Sequence, residues 1–173
     1  GDTAFPAVRR RGPVALVNLC SATPTAPWLA TGRLGDAQLT RLAPILEQLR
    51  QDGLFRVILI HHPPTSGVVS KRKSLEDAPA LRALLQAKGA ELILHGHAHE
   101  PAVSTLPGPG GPIPVLGVPS ASAVGHGKHP PARWHGVEIA PDQRKIRITA
   151  RGLSPETGAF EPLGSYLLDT AQG

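Results

Sequence analysis

Arg56-Val57-Ile58-Leu59-Ile60-His61-His62-Pro63-Pro64 and, further along, Glu91-Leu92-Ile93-Leu94-His95-Gly96-His97-Ala98-His99 are two short aliphatic runs that each end in histidines. Runs this short and this continuously apolar read as strands buried on both faces, the mark of a parallel sheet. Five of the eight histidines stand at these two strand ends. Open α/β sheets build their sites at the carboxyl ends of strands, and neutral imidazole is a common ligand for transition metals. The pattern therefore reads as half of a metal centre.

The segment between the two runs supports a strand–helix–strand unit. Ser74-Leu75-Glu76-Asp77 has the spacing of a capping box, Leu81, Leu84 and Leu85 share a helical face, and Lys88-Gly89 closes the helix. A right-handed crossover of this kind lays the two histidine-bearing ends side by side. Upstream, a strand over 14–19 leads through a Thr-, Pro- and Ala-rich loop to Gly35-Asp36, a helix start. Leu39, Leu42, Leu46 and Leu49 then form one face, Pro44 predicts a kink, and Asp52-Gly53 ends the helix. Downstream, Pro107 to Pro112 mark an exposed turn. A strand follows over 113–118, which Pro114 assigns to a sheet edge or a strand start. Antiparallel strands over 133–140 and 144–151, joined through Pro141-Asp142-Gln143, close the pattern. The expectation is a single α/β domain over 1–173, with an irregular tail over 152–173.

Composition narrows the classes. A chain of 173 residues with 40% hydrophobic content has length for one sizeable core. Three Phe, two Trp and one Tyr leave few stacking platforms, which disfavours base-stacking recognition of single-stranded nucleic acid. The net charge of +5 rests on scattered residues apart from Arg9-Arg10-Arg11 and Lys71-Arg72-Lys73, read as solvated loops, with attraction of phosphate as the alternative. Cys20 is the lone cysteine and reads as a buried small hydrophobe, so no internal disulfide is expected. No run approaches the roughly 18 apolar residues of a membrane span, and the default location is cytoplasmic.

In His97-Ala98-His99, residues two apart present their rings towards one pocket, or one to each of two adjacent metals, and Gly96 frees the backbone to bend there. His126, His129 and His135 read as exposed loop or strand positions. Ile60-His61-His62-Pro63-Pro64 and Leu94-His95-Gly96-His97-Ala98-His99 together resemble the last two signature blocks of the calcineurin-like metallophosphoesterases, especially the bacterial cyclic-nucleotide-phosphodiesterase-like branch. Gly32-Arg33-Leu34-Gly35 with Gln38-Leu39 is similar to the segment those proteins place before a helix. The likeness spans about Phe5 to Arg151.

The resemblance implies a sandwich of two β-sheets flanked by helices, four layers α/β/β/α in an intact relative, with two metals between strand ends. By position it assigns His61 and His97 to the second metal and His99 to the first. Read from the residues themselves, His62 supports a ligand or touches a substrate phosphate, or is equally a hydrogen-bonded structural residue, and His95 or Glu100, which flank the motif, orients a ligand imidazole. The resemblance implies hydrolysis of a phosphate ester by a water activated between two Zn, Mn or Fe ions. The family's Asp-x-His, Gly-Asp-x-x-Asp and Gly-Asn-His-Asp/Glu blocks do not occur. Asp2 and Asp36 are followed three residues on by Phe5 and Leu39, and Asn18 is followed by Leu19. The expectation is the C-terminal portion of such a domain, holding at most one metal and of low or no activity alone. The alternative is a non-catalytic metal-binding or complementing half-domain that associates through an exposed sheet edge.

Overall fold

The computed structural model describes residues 5–125, 129–140 and 142–170. The chain runs β1 (Ala7–Arg11), β2 (Val14–Asn18), α1 (Asp36–Gln51), β3 (Phe55–Ile60), a 3-10 turn (Lys71–Lys73) and α2 (Ala78–Lys88). It continues through β4 (Leu92–His95), β5 (Ala102–Leu106), β6 (Ile113–Gly117), β7 (Arg133–Ile139), β8 (Lys145–Leu153) and β9 (Phe160–Asp169). Six strands form one sheet in the order β1-β2-β3-β4-β6-β5, and β7-β8-β9 form a second. The inner strands β2, β3, β4 and β6 are parallel, while β1 and β5 pair antiparallel at the edges.

Alternation sorts the aliphatic residues into two cores. On one face of the large sheet, Ala15, Val17, Ile58, Ile60, Ile93 and Val115 pack against Leu42 and Leu46 of α1 and Leu81 and Leu85 of α2. On the other, Phe55, Val57, Leu92 and Leu116 pack against Ile146 and Ile148 of the small sheet. Each fully buried aliphatic side chain contributes about 1.5–3 kcal/mol, so an aliphatic interior suffices here. The layers are helices, large sheet, small sheet. Among the described residues helices cover one side of the sandwich only.

Several expectations change. The tail expected to be irregular from 152 carries the end of β8 and the whole of β9, which pairs along β8 with a register shift between Ala150 and Arg151. Arg9-Arg10-Arg11 lie in β1 rather than a loop, their charges guarding an open sheet edge. Lys71-Arg72-Lys73 form an exposed 3-10 turn. Cys20 is half-buried rather than buried. β5, a short strand between His99 and Pro107, had no counterpart in the sequence reading. β6 is an inner strand, and Pro114 is tolerated because the ladder to β4 begins one residue later, at Val115.

The helix starts also differ. Ser74 makes no capping box: its hydroxyl donates to the Lys71 carbonyl at 2.9 Å. The Asp77 carboxylate instead accepts the backbone N–H groups of Leu34 (3.0 Å) and Gly35 (2.8 Å), capping the entry to α1 from across the fold. Helix α1 runs unbroken through Pro44, which is solvent-exposed, so water can serve the carbonyl that the proline leaves without a donor.

At the end opposite the histidines, Arg56 is fully buried and Glu91 is buried beside it. Arg56 Nε and Nη2 donate to Glu91 Oε2 and Oε1 at 3.0 and 2.5 Å, and Nη1 donates to the Lys88 carbonyl at 2.9 Å. This bidentate pair ties β3, β4 and the end of α2 together.

Candidate metal centre

The parallel ladder brings the strand exits into line. Ile60 of β3 is opposite His95 of β4, and His95 is opposite Gly117 of β6. His61 and His62 leave β3, and His97 leaves β4, onto one edge. There the rings of His61, His62 and His97 meet, with centres 4.9 Å apart for His61 and His97, 5.0 Å for His61 and His62, and 4.3 Å for His62 and His97.

The hydrogen bonds separate these rings into roles. His62 is buried, and its Nε2 lies 3.1 Å from the Ala30 carbonyl, which can only accept. Nε2 therefore carries the proton, and Nδ1 accepts from the Ser21 hydroxyl at 2.8 Å. With both nitrogens engaged, His62 is a scaffold and has no lone pair free for a metal or hydrogen left for a phosphate. His95 is also buried. Its Nδ1 donates to the Gly96 carbonyl at 3.0 Å rather than orienting another imidazole, and its Nε2 has no partner.

His61 and His97 differ. His61 Nε2 and His97 Nδ1 face one another at 3.1 Å, and His97 Nε2 is buried without a partner. Burial, reinforced by the neighbouring His62 and His61, pushes His97 down to about 4, so its ring is neutral at physiological pH. Burial also lowers His62 and His95 from the ordinary histidine range. Neutral imidazole is the ligating form. Two nitrogens on a four-coordinate ion at about 2.0–2.1 Å sit about 3.3 Å apart, close to the 3.1 Å separation of this pair, although here the two nitrogens share a hydrogen bond with each other.

The other candidates lie outside this group. His99 is exposed, and the ring beside it is that of His129, 6.3 Å away between centres. Glu100 turns to the same neighbour, with His129 Nδ1 3.9 Å from its Oε1. His135 is half-buried on β7 and His126 lies outside the described residues. Among the described residues, no three His, Cys, Asp or Glu side chains converge on one metal position.

The bend after β4 is not made by Gly96. His97 and His99 themselves take φ values of 66° and 58°, in the left-handed region that L-residues with a Cβ rarely occupy. Gly32 is the glycine that the site needs. A Cβ there would fall 2.3 Å from His62 Nδ1 and 2.6 Å from the Ser21 carbonyl oxygen.

Sequence reasoning missed Ser21, Gly32 and Gln38 as parts of this assembly. Gln38 is buried in α1, accepts the Cys20 N–H through Oε1, and donates from Nε2 to the carbonyls of Cys20 and Leu34. It thereby fixes the chain leaving β2, which in turn presents Ser21 to His62. The available signal was the Gly32 to Gln38 segment itself, whose residues now have physical roles.

The sandwich of a mixed six-stranded sheet and a smaller one, with two helices on the large sheet, is similar in fold to a solved phosphatase structure. A dimetal phosphatase from Danio rerio superposes with a TM-score of 0.57 at 14% identity, over 81% of this chain and 40% of that one. The chain thus spans less than half the length of that phosphatase. Vps29 from Entamoeba histolytica aligns with a TM-score of 0.35 at 11% identity, over 89% of this chain and 98% of that one. No protein-family model and no curated protein matches the sequence. Among the described residues, no helix is long and apolar enough to cross a membrane.

Proposed function

We propose that this chain contributes part of a metal centre for phosphoester hydrolysis, with His61 and His97 as its donors. The observation that carries the reading is the 3.1 Å approach of His61 Nε2 to His97 Nδ1 at the carboxyl ends of neighbouring parallel strands. An ion held there would polarise a phosphoryl oxygen and acidify a bound water. The chain's own contribution is positional. His62, locked between Ser21 and Ala30, packs against both rings and fixes their approach, and the buried setting keeps His97 neutral. Two imidazoles leave several positions on an ion for water, substrate or further ligands, and they do not neutralise its charge. Zn fits an imidazole pair readily, whereas Mn and Fe would be favoured once carboxylates join. On this reading His99 belongs to a neighbouring subsite and not to the pair.

Metal content and hydrolysis of bis(p-nitrophenyl) phosphate test this together. Binding of Zn or Co near one equivalent, abolished in His61→Ala and His97→Ala and retained in His99→Ala, with slow metal-dependent hydrolysis, is the expected result. Metal binding without hydrolysis would favour the non-catalytic half-domain, for which the incomplete donor set argues. Absence of metal binding would reject both.

A further inference from the structure

Lys71, Arg72 and Lys73 take no part in the histidine pair, and none of the three exposed side chains has an ion-pair partner among the described residues. The 3-10 turn they form is nevertheless fixed to the site. The Arg72 carbonyl accepts the Ala30 N–H at 2.9 Å, and the Ser74 carbonyl accepts the Gly32 N–H at 3.1 Å. The Ala30 carbonyl in turn accepts from His62, whose ring packs on those of His61 and His97. A path of two hydrogen bonds thus runs from the basic turn to the histidine cluster. Behind burial and the neighbouring histidines, the Lys73 ammonium also acts to keep His97 neutral, which puts it within electrostatic reach of that ring.

The carboxylates that follow the turn are engaged elsewhere. Glu76 Oε1 accepts the Thr31 hydroxyl at 2.8 Å, and Asp77 accepts the Leu34 and Gly35 amides. Three cations without a counter-ion therefore stand beside imidazoles that bring no negative charge. An edge of this kind concentrates anions, and the more strongly the more charge each carries. A phosphomonoester carries about two negative charges near neutral pH, more than a diester, and the planar fork of an arginine matches two phosphoryl oxygens.

We propose that the 71–73 turn is the specificity element of the site, with Arg72 and Lys73 seating a terminal, doubly charged phosphoryl group. The substrate class is then a phosphomonoester or the end of a phosphoanhydride, and not an internal diester. This rests on the reading of His61 and His97 as metal donors, and it adds the residues that choose among phosphate esters.

The probes are inorganic phosphate and dimethyl phosphate, titrated calorimetrically into the zinc-loaded full chain at mildly alkaline pH, with p-nitrophenyl phosphate and bis(p-nitrophenyl) phosphate as the matching substrates. Arg72→Gln/Lys73→Gln is compared with Arg9→Gln/Arg11→Gln, which removes the same charge from exposed positions on β1. The first variant should lower phosphate affinity and the monoester-to-diester ratio of kcat/KM by roughly tenfold, with zinc content unchanged. The β1 variant should leave both near those of the unmodified chain. Retained selectivity in the first variant overturns the proposal, and so does an equal loss in the second, since net charge alone would then account for it. Should the chain bind no zinc, the reading of the histidine pair fails separately. Phosphate binding to the metal-free chain then decides for the turn: loss confined to Arg72→Gln/Lys73→Gln keeps it as an anion seat, and absence of binding overturns it. If the double variant does not fold, Lys73→Gln alone, with a smaller loss of the same sign, takes its place.

Discussion

His62 Nδ1 and Ser21 Oγ lie 2.8 Å apart, forty-one positions distant in sequence, and this hydrogen bond joins the exit of β2 to the exit of β3. Everything the candidate centre requires of His62 depends on it, since the serine hydroxyl satisfies the one ring nitrogen that Ala30 leaves open.

Removing that hydroxyl, or the space beside it, should be felt locally and globally. Ser21→Ala leaves a buried acceptor unpaired and is expected to cost about 1–3 kcal/mol. Gly32→Ala forces His62 or the Ser21 backbone to move, at about 1–3 kcal/mol. Urea denaturation measures both, and metal affinity should fall in parallel as the His61–His97 approach loosens. Unchanged affinity in a destabilised Gly32→Ala protein would show that His62 does not position its neighbours.

Glu91→Ala strands the buried Arg56 guanidinium and is expected to destabilise by about 3–5 kcal/mol. The double replacement Arg56→Met/Glu91→Leu should be much milder than the sum of its parts, because it removes both charges from the interior. A thermodynamic cycle on the four proteins gives the coupling. Because this pair lies at the far end of the strands, the double variant should retain metal binding.

Asp77→Ala uncaps the Leu34 and Gly35 amides, with an expected loss of about 1–2 kcal/mol. Hydrogen exchange at those two amides should accelerate selectively. Ser74→Ala, by contrast, touches only the 3-10 turn and should leave the start of α2 unchanged.

Acidification should weaken the fold before the carboxylates titrate. His97 falls from 6.5 to about 4 on folding through burial and its histidine neighbours, and His62, His95 and His135 are lowered in the same direction, chiefly by burial. Between the unfolded value and the folded one, the unfolded chain binds more protons than the native chain. Stability is therefore level above about 6.5 and declines as the pH drops towards 4. Denaturation midpoints across that window, with His97→Gln as comparison, should show a shallower slope in the variant.

The parts of the fold that could be read from the sequence are those with unbroken aliphatic or helical periodicity. β3 and β4 announced themselves because strands covered on both faces need no polar residues, and α1 because four leucines recur on one side. β1 was obscured by Arg9-Arg10-Arg11, and β9 by Pro162, Gly164 and a register shift, features of strands at sheet edges where the hydrophobic pattern is weakest. At the site, spacing and strand assignment sufficed to bring His61 and His97 to one edge. Nothing local in the sequence distinguishes Ser21 from the other serines, and the choice between a structural and a phosphate-contacting His62 waited until its two nitrogens could be counted against Ser21 and Ala30. The pairing of Glu100 with His129 depends on how the loop after β6 returns, which no local pattern encodes.

The left-handed backbone at His97 and His99 sets stability against chemistry. Glycine would relieve the left-handed backbone at each position by about 1–2 kcal/mol, offset in part by its greater backbone entropy and, at 97, by the lost packing on His61 and His62. A library sorted only for thermal resistance should therefore enrich glycine at the exposed position 99 more than at 97, whereas one sorted for metal retention should hold histidine at 97. Divergence of the two selections at position 97 would measure what this strained turn gives up to keep an imidazole there.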